Sequence, residues 1–178
     1  DYIWNDYDGD GTFDTDGSDN NPLLNLTGNL SLSAWVKTNG DHELGIVGKK
    51  QAADDSTYAL WSSTGTAKLV LRGTSGGGDI CVVESPSAID DNVWHHWVAT
   101  YDTVTHTGYL YIDGTLVNSN SACPGVLNSS SYPLEIGREA SWRYLNGSID
   151  DVKIFNYALS ATQVKKLFNE NSSIRFGP

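Results

Sequence analysis

From Leu30 the chain alternates. Leu30, Leu32, Ala34 and Val36 are apolar, and Ser31, Ser33 and Lys37 between them are polar, with Trp35 the exception. Successive strand side chains point to opposite faces, so this pattern predicts a strand with one buried face and Trp35 capping the other. Shorter β-branched or aromatic runs follow at 43–49, 57–62, 68–72 and 80–84, each bounded by Gly, Asp, Ser or Thr. A longer apolar and aromatic strand is predicted over 94–101. Residues 107–117 carry Asp113-Gly114 between alternating apolar positions, a strong hairpin signal. The last strands are predicted at 133–137 and 148–155. Only 160–169 reads as helix: Ser160 is the expected N-cap, Gln163 its partner three residues on, and Val164, Leu167 and Phe168 form one face. Short strands at about ten-residue spacing imply an all-β sandwich or barrel. No repeat or linker divides the chain, so residues 1–178 are expected to form a single domain.

Charge changes the picture at one place. The 178 residues hold 22 acids against 11 lysines and arginines, a net charge of -11. Residues 1–20 contain seven aspartates and no base, leaving 15 acids and 11 bases, a net of -4, for the rest. This balance argues against nucleic acid or an anionic membrane as partner. No stretch is apolar and long enough to cross a membrane as a helix. Two cysteines, Cys81 and Cys123, are too few for a cysteine-based zinc site. They read as one disulfide, hence an oxidising compartment, because each stands beside polar, surface-type residues; two free buried thiols are the alternative. Asn-x-Ser/Thr sequons occur at Asn25, Asn29, Asn128, Asn146 and Asn171.

The acidic segment has an ordered spacing. Counting Asp6 as position 1 puts Asp8 at 3, Asp10 at 5, Gly11 at 6, the Thr12 carbonyl at 7 and Asp14 at 9. Calcium takes six to eight oxygens at about 2.3–2.6 Å, and this order matches the first three quarters of an EF-hand loop. Position 12 is Gly17, so the closing glutamate is missing; Asp16, Asp19 or a carboxylate from elsewhere must complete the shell. The string resembles the aspartate-rich calcium loops of thrombospondin type 3 repeats and dockerins. The alternative is an acidic solvated terminus, but uncompensated carboxylates this close repel one another. Calcium is therefore the expected cofactor, held by an insertion at about 5–20.

The remainder resembles the laminin G-like jelly-roll domains of the concanavalin A-like lectin superfamily. The resemblance rests on 30–37 (LSLSAWVK), 94–101 (WHHWVATY), 109–114 (YLYIDG), 134–137 (LEIG) and 147–160 (GSIDDVKIFNYALS), in that order. It implies an antiparallel two-sheet jelly-roll sandwich with one short C-terminal helix. It also implies a secreted or cell-surface setting, within a larger multidomain protein, and binding of a glycan, a polysaccharide or a surface protein near a calcium ion. By the same resemblance Asp150 or Asp151 lies near such an ion. Adjacent in a strand, they are expected to face opposite ways, so at most one of them, Asp150 for choice, reaches a metal.

The fold also hosts glycoside hydrolases, whose chemistry needs two carboxylates about 5–9 Å apart. Glu43, Glu84, Glu135, Glu139 and Glu170 are isolated, and no nucleophile elbow is present. His95 and His96 are neighbours in a strand, expected one packed beside Trp94 or Trp97 and the other half exposed. No enzyme is expected. Sugar binding needs an aromatic platform with polar groups around it. Trp35, Trp94, Trp97 and Tyr111 read as core. Residues 138–144 read as a loop outside any strand, and Arg138, Trp142, Arg143 and Tyr144 there form the expected ligand cluster. Trp61 is next, and His42, Arg72 and Trp4 are weaker candidates. A non-catalytic calcium-binding, carbohydrate-binding module is the reading; an adhesion or protein-interaction module with a structural calcium is the alternative.

Overall fold

The computed structural model describes residues 22–39, 43–49, 57–73, 80–130, 132–139 and 143–172. After a 3-10 turn at Pro22–Leu24 come β1 (Leu30–Thr38), β2 (Leu44–Lys49), β3 (Tyr58–Ser63), β4 (Thr66–Arg72), β5 (Ile80–Glu84), β6 (His95–Asp102), β7 (Thr107–Ile112) and β8 (Thr115–Asn120). They are followed by β9 (Glu135–Ile136), β10 (Arg138–Glu139), β11 (Arg143–Tyr144), β12 (Gly147–Phe155) and the helix α1 (Ala161–Ser172). Two five-stranded antiparallel sheets result, in the orders β12-β1-β6-β7-β8 and β5-β4-β3-β2-β9. This is a two-sheet jelly-roll sandwich with one short C-terminal helix.

The alternation in β1 does what the sequence predicts. Leu30, Leu32, Ala34 and Val36 are buried between the sheets with Leu60, Leu69, Leu71, Trp97, Tyr101 and Leu110. Each such Leu or Val contributes about 1.5–3 kcal/mol by leaving water. Ser31 and Ser33 of β1 are buried too, because the chain after β12 folds back over the other face. Ser31 Oγ donates to the Tyr157 carbonyl (2.8 Å) and accepts from the Leu159 N–H (2.9 Å), so a small hydroxyl satisfies the covering segment. Helix α1 completes that cover. Val98, Tyr111, Leu159 and Val164 form a second cluster, and Trp35 stacks on Phe168 at 5.8 Å. The capping box is present, with Ser160 N–H on Gln163 Oε1 (2.9 Å) and Gln163 N–H on Ser160 Oγ (3.3 Å).

The two cysteines are joined, Cys81 to Cys123, tying β5 of one sheet to the segment after β8 of the other. The bond is not at the surface, as the polar neighbours suggested, but in the core: the residues are 0% and 5% exposed. Alternation explains this, since Cys81 pairs with core-facing Leu71 of β4 while the next residue, Val82, points outward.

The hairpin signal in 107–117 is borne out as β7 and β8, with Asp113 and Gly114 at φ 51 and 73 forming the turn and β8 running on to Asn120. Three expectations need correction. Residues 138–144 are not wholly loop, because β10 and β11 pair there, Arg138 with Tyr144 and Glu139 with Arg143. Trp94 is not core; it precedes β6, follows Asn92 at φ 63, and is 40% exposed. Asp150 and Asp151 do not simply alternate. Between the Ser33–Lys153 and Trp35–Asp150 pairs, Ala34 of β1 is opposed by two residues of β12, a bulge in which Asp151 takes φ 50. Asp150 is exposed, and Asp151 is ion-paired with Lys153.

Candidate functional site

The face of the β5-to-β9 sheet turned away from the core carries a row of aromatic and charged side chains. Leu60 of β3 packs in the core, so its neighbour Trp61 points outward. Register then places Lys68 of β4 opposite Trp61, and Glu84 of β5 opposite Lys68. Lys68 Nζ lies 5.8 Å from the centre of the indole and 3.2 Å from Glu84 Oε1. The Thr66 hydroxyl also donates to Glu84 (2.6 Å). That hydroxyl first, and then Lys68, hold the Glu84 carboxyl below its ordinary value despite some desolvation. The aromatic ring is thus fixed by an ordered charge pair on one side.

On the other side of Trp61 the neighbouring residue in register is Gly45, which adds no side chain. Gly45, Gly48 and Ala59, all buried, line a gap beside Glu135 and Arg138 that is too small to hold water. Gly48 is required there, because a Cβ on it would lie 2.7 Å from the Tyr58 carbonyl oxygen. Gly137, at φ 74, donates its N–H to the Ile46 carbonyl (2.9 Å) and turns the chain from β9 into β10. Arg138 emerges from that turn. Its Nε sits 3.1 Å from Glu135 Oε1, and its guanidinium carbon 5.8 Å from the centre of the Tyr144 ring. Tyr144 is 49% exposed.

Of the residues expected from sequence, Arg138 and Tyr144 are therefore in contact on the separate β10–β11 pair, whereas Trp61 stands on β3 of the five-stranded sheet. The main chain of Arg143 pairs with Glu139. Trp142, Trp4, His42 and the calcium-loop residues Asp6, Asp8, Asp10, Thr12, Asp14, Asp16 and Asp19 lie outside the described residues. Arg72 ends β4 on the same outer face, and its buried Nε has no hydrogen-bond partner among the described residues. Among the described residues no three His, Cys, Asp or Glu side chains come together to hold a metal. Asp150 stands on β12, its Oδ1 accepting the Asp151 N–H (2.8 Å). Sequence reasoning missed Lys68, Glu84 and Glu135, because their places are set by inter-strand register, which a single strand does not reveal.

The two histidines sit on the other sheet and in opposite environments. His96 is buried, with Nε2 2.9 Å from Ser33 Oγ and its ring 5.2 Å from Trp35; it packs on Trp35 and Phe168, not on Trp94 or Trp97. Burial first, and then the charge of Lys153, push it down to about 4 against the opposing pull of Asp113 and Asp151. His95 is half exposed, with Nδ1 2.7 Å from Asp113 and Nε2 3.2 Å from Asp91. Desolvation opposes its protonation, but Asp113 and then Asp91 outweigh it, and the net shift is upward. The pH consequences are opposite in sign. His95 contributes stability below its unfolded value, and that contribution fades as pH rises through its raised folded value. His96 costs stability as pH falls from the unfolded value towards about 4, because the unfolded chain binds the proton first. An NMR titration should show His96 resonances moving near pH 4 and His95 resonances moving above the ordinary histidine value; coincident titration at the ordinary value would contradict the assignment.

A model of the concanavalin A-like lectin/glucanases superfamily (Laminin_G_3) matches residues 9–165. No curated protein sequence matches the chain. Among solved structures the chain is similar to a native heptameric SAP-like pentraxin from Limulus polyphemus, at 18% identity, 82% of this chain, 71% of that chain and a TM-score of 0.64. It is also similar to the binding domain of Paraclostridial Mosquitocidal Protein 1, at 19% identity, 86% of this chain, 40% of that chain and a TM-score of 0.65. A third is the binding domain of botulinum neurotoxin DC in complex with SialylT, at 15% identity, 82% and 36% coverage and a TM-score of 0.59. The chain thus spans 40% or less of the length of these two toxin binding domains. At such identities the likeness shows the fold, which is that of lectin-like binding domains. By the family match over most of its length, the chain belongs to the concanavalin A-like lectin/glucanases superfamily as a laminin G-like domain.

Proposed function

We propose that the chain is a single laminin G-like domain, a non-catalytic calcium-binding and carbohydrate-binding module of a secreted or cell-surface protein. The observation that carries this reading is the contact of Arg138 with the exposed Tyr144 ring on the β10–β11 pair, with Trp61 on β3 as a second aromatic candidate. The indole and phenol rings offer platforms to the apolar face of a sugar ring. The guanidinium, already oriented by Glu135, donates to hydroxyl or carboxylate oxygens. In this reading Trp142 and Arg143 are further ligand-contacting residues. The fold's occurrence in binding domains, one of them in complex with SialylT, supports the reading. The disulfide supports an oxidising, extracytoplasmic setting. A glycan array at millimolar calcium tests it: binding to a defined glycan class supports it, and a blank array removes it.

The ion in this reading is held by Asp6, Asp8, Asp10, the Thr12 carbonyl and Asp14, with Asp16 or Asp19 closing the shell. In the same reading Asp150, exposed on β12, is the carboxylate that the rest of the fold offers the ion. Calcium supplies the positive charge that seven neighbouring aspartates require. Chelation should lower the melting temperature, because an ion at a hundred times its dissociation constant stabilises the folded state by about 2.7 kcal/mol. An unchanged melt in chelator contradicts the calcium reading. The second reading, an adhesion or protein-interaction module, draws on Val93 and Trp94, an exposed apolar pair beside the other sheet.

A further inference from the structure

The two aromatic rings of the carbohydrate reading are built alike. Each has a cation beside it, and each cation holds a carboxylate. Lys68 Nζ lies 5.8 Å from the centre of the Trp61 indole and 3.2 Å from Glu84 Oε1. Arg138 lies 5.8 Å from the centre of the Tyr144 ring, with Nε 3.1 Å from Glu135 Oε1. In the Trp61 row, register supplies one residue from each of three neighbouring strands. The Thr66 hydroxyl donates to the Glu84 carboxylate (2.6 Å), and Asn118 Nδ2 donates to the Glu84 carbonyl (2.8 Å), which ties this end of the row to β8. Both charges are therefore in place before a ligand arrives. Both also reach solvent, the Lys68 side chain at 17% exposure and that of Glu84 at 41%.

An ammonium only donates hydrogen bonds and a carboxylate only accepts them. Held 3.2 Å apart beside an indole, Lys68 and Glu84 offer one of each. A sugar hydroxyl matches that offer, because its oxygen accepts and its proton donates. Hydroxyls of one pyranose can therefore take Lys68 and Glu84 together while the apolar face of the sugar ring lies on Trp61. A sulfate or carboxylate matches only half of the offer. Its oxygens accept from Lys68 but meet the like charge of Glu84, which the Thr66 hydroxyl and then Lys68 keep ionised. Like charges brought together at an interface reject a wrong partner. The chain's net charge of -11 acts in the same direction. Resting on the carbohydrate reading above, we propose that the ligand of Trp61 is an uncharged pyranose whose hydroxyls accept from Lys68 and donate to Glu84, and that Glu84 turns away sulfated and carboxylated sugars.

The test uses the whole chain in millimolar calcium and a titrated array of matched glycans. Cello-, xylo- and galacto-oligosaccharides and N-acetyllactosamine are each printed uncharged and as the sulfate ester. Within the pair that binds, the uncharged member is expected to bind about fivefold or more tightly than its ester. Glu84→Gln keeps the shape of the side chain and removes its charge. It is expected to bring the two members within about twofold of each other or to reverse their order. Glu170→Gln makes the same change in net charge on α1, over the other sheet, and should leave the ratio as in the parent. The proposal is overturned by an ester that binds the parent as tightly as its uncharged partner, by a ratio that Glu84→Gln leaves unchanged, or by an equal change in Glu170→Gln. Each of these leaves the carbohydrate reading standing, whereas an array on which nothing binds removes that reading and the proposal together.

Discussion

Replacing Cys81 and Cys123 together by alanine is expected to lower the unfolding free energy by about 2–5 kcal/mol. The bond spans 42 residues and joins the two sheets, so its loss frees the unfolded chain along most of β5 to β8. Loop-closure entropy for that span is roughly 4 kcal/mol. Packing adds to the effect. Cys123 Sγ would be 3.3 Å, and Val83 Cγ2 3.0 Å, from a Cβ placed on Gly108, so β7 carries glycine where the bond and its neighbours press on the strand. Alanine is the proper replacement, since a serine hydroxyl at 0% exposure would be buried without a partner. Urea unfolding of the double variant against the parent measures the difference, and a loss below about 1 kcal/mol would show that the bond is incidental to a core already sufficient.

Trp61→Ala is expected to weaken glycan binding by about 30-fold or more, the effect of truncating a central aromatic anchor worth about 2–4 kcal/mol. The ring is held before ligand arrives, by Lys68 at 5.8 Å and through it by Glu84. Little conformational freedom remains to be lost on binding, so the indole's contribution is large for one side chain. Trp94→Ala is the control: its ring is exposed but lies just before β6 of the other sheet, and its removal should leave the affinity unchanged. Equal losses from both variants, measured by calorimetry with the glycan found on the array, would move the site off this face.

Much of the scaffold is legible in the residue pattern alone. The alternation over Leu30–Val36 names both the strand and its buried face. Asp113-Gly114 places a turn because both residues must accept positive φ, and Ser160 with Gln163 marks the helix start through their reciprocal hydrogen bonds. What resists reading is anything set by one strand against another. Trp61, Lys68 and Glu84 lie far apart in sequence and become a row only through the β3–β4–β5 register. The Asp151 bulge is equally silent, since an extra residue in one strand shows only against its partner. β10 and β11 are too short to display any period, so Arg138 and Tyr144 read as loop although they are paired strand residues. Trp94 misleads for the converse reason: the apolar run continues past the point where strand pairing begins.

The position of a bound glycan decides which face carries the site. Titrating the array's best glycan into isotope-labelled protein and following amide and indole signals locates it. The account predicts shifts confined to the Trp61 indole, the β2 glycines Gly45 and Gly48, and residues 135–144. Shifts centred on Val93 and Trp94, or on β12, with the Trp61 indole unmoved, would contradict it.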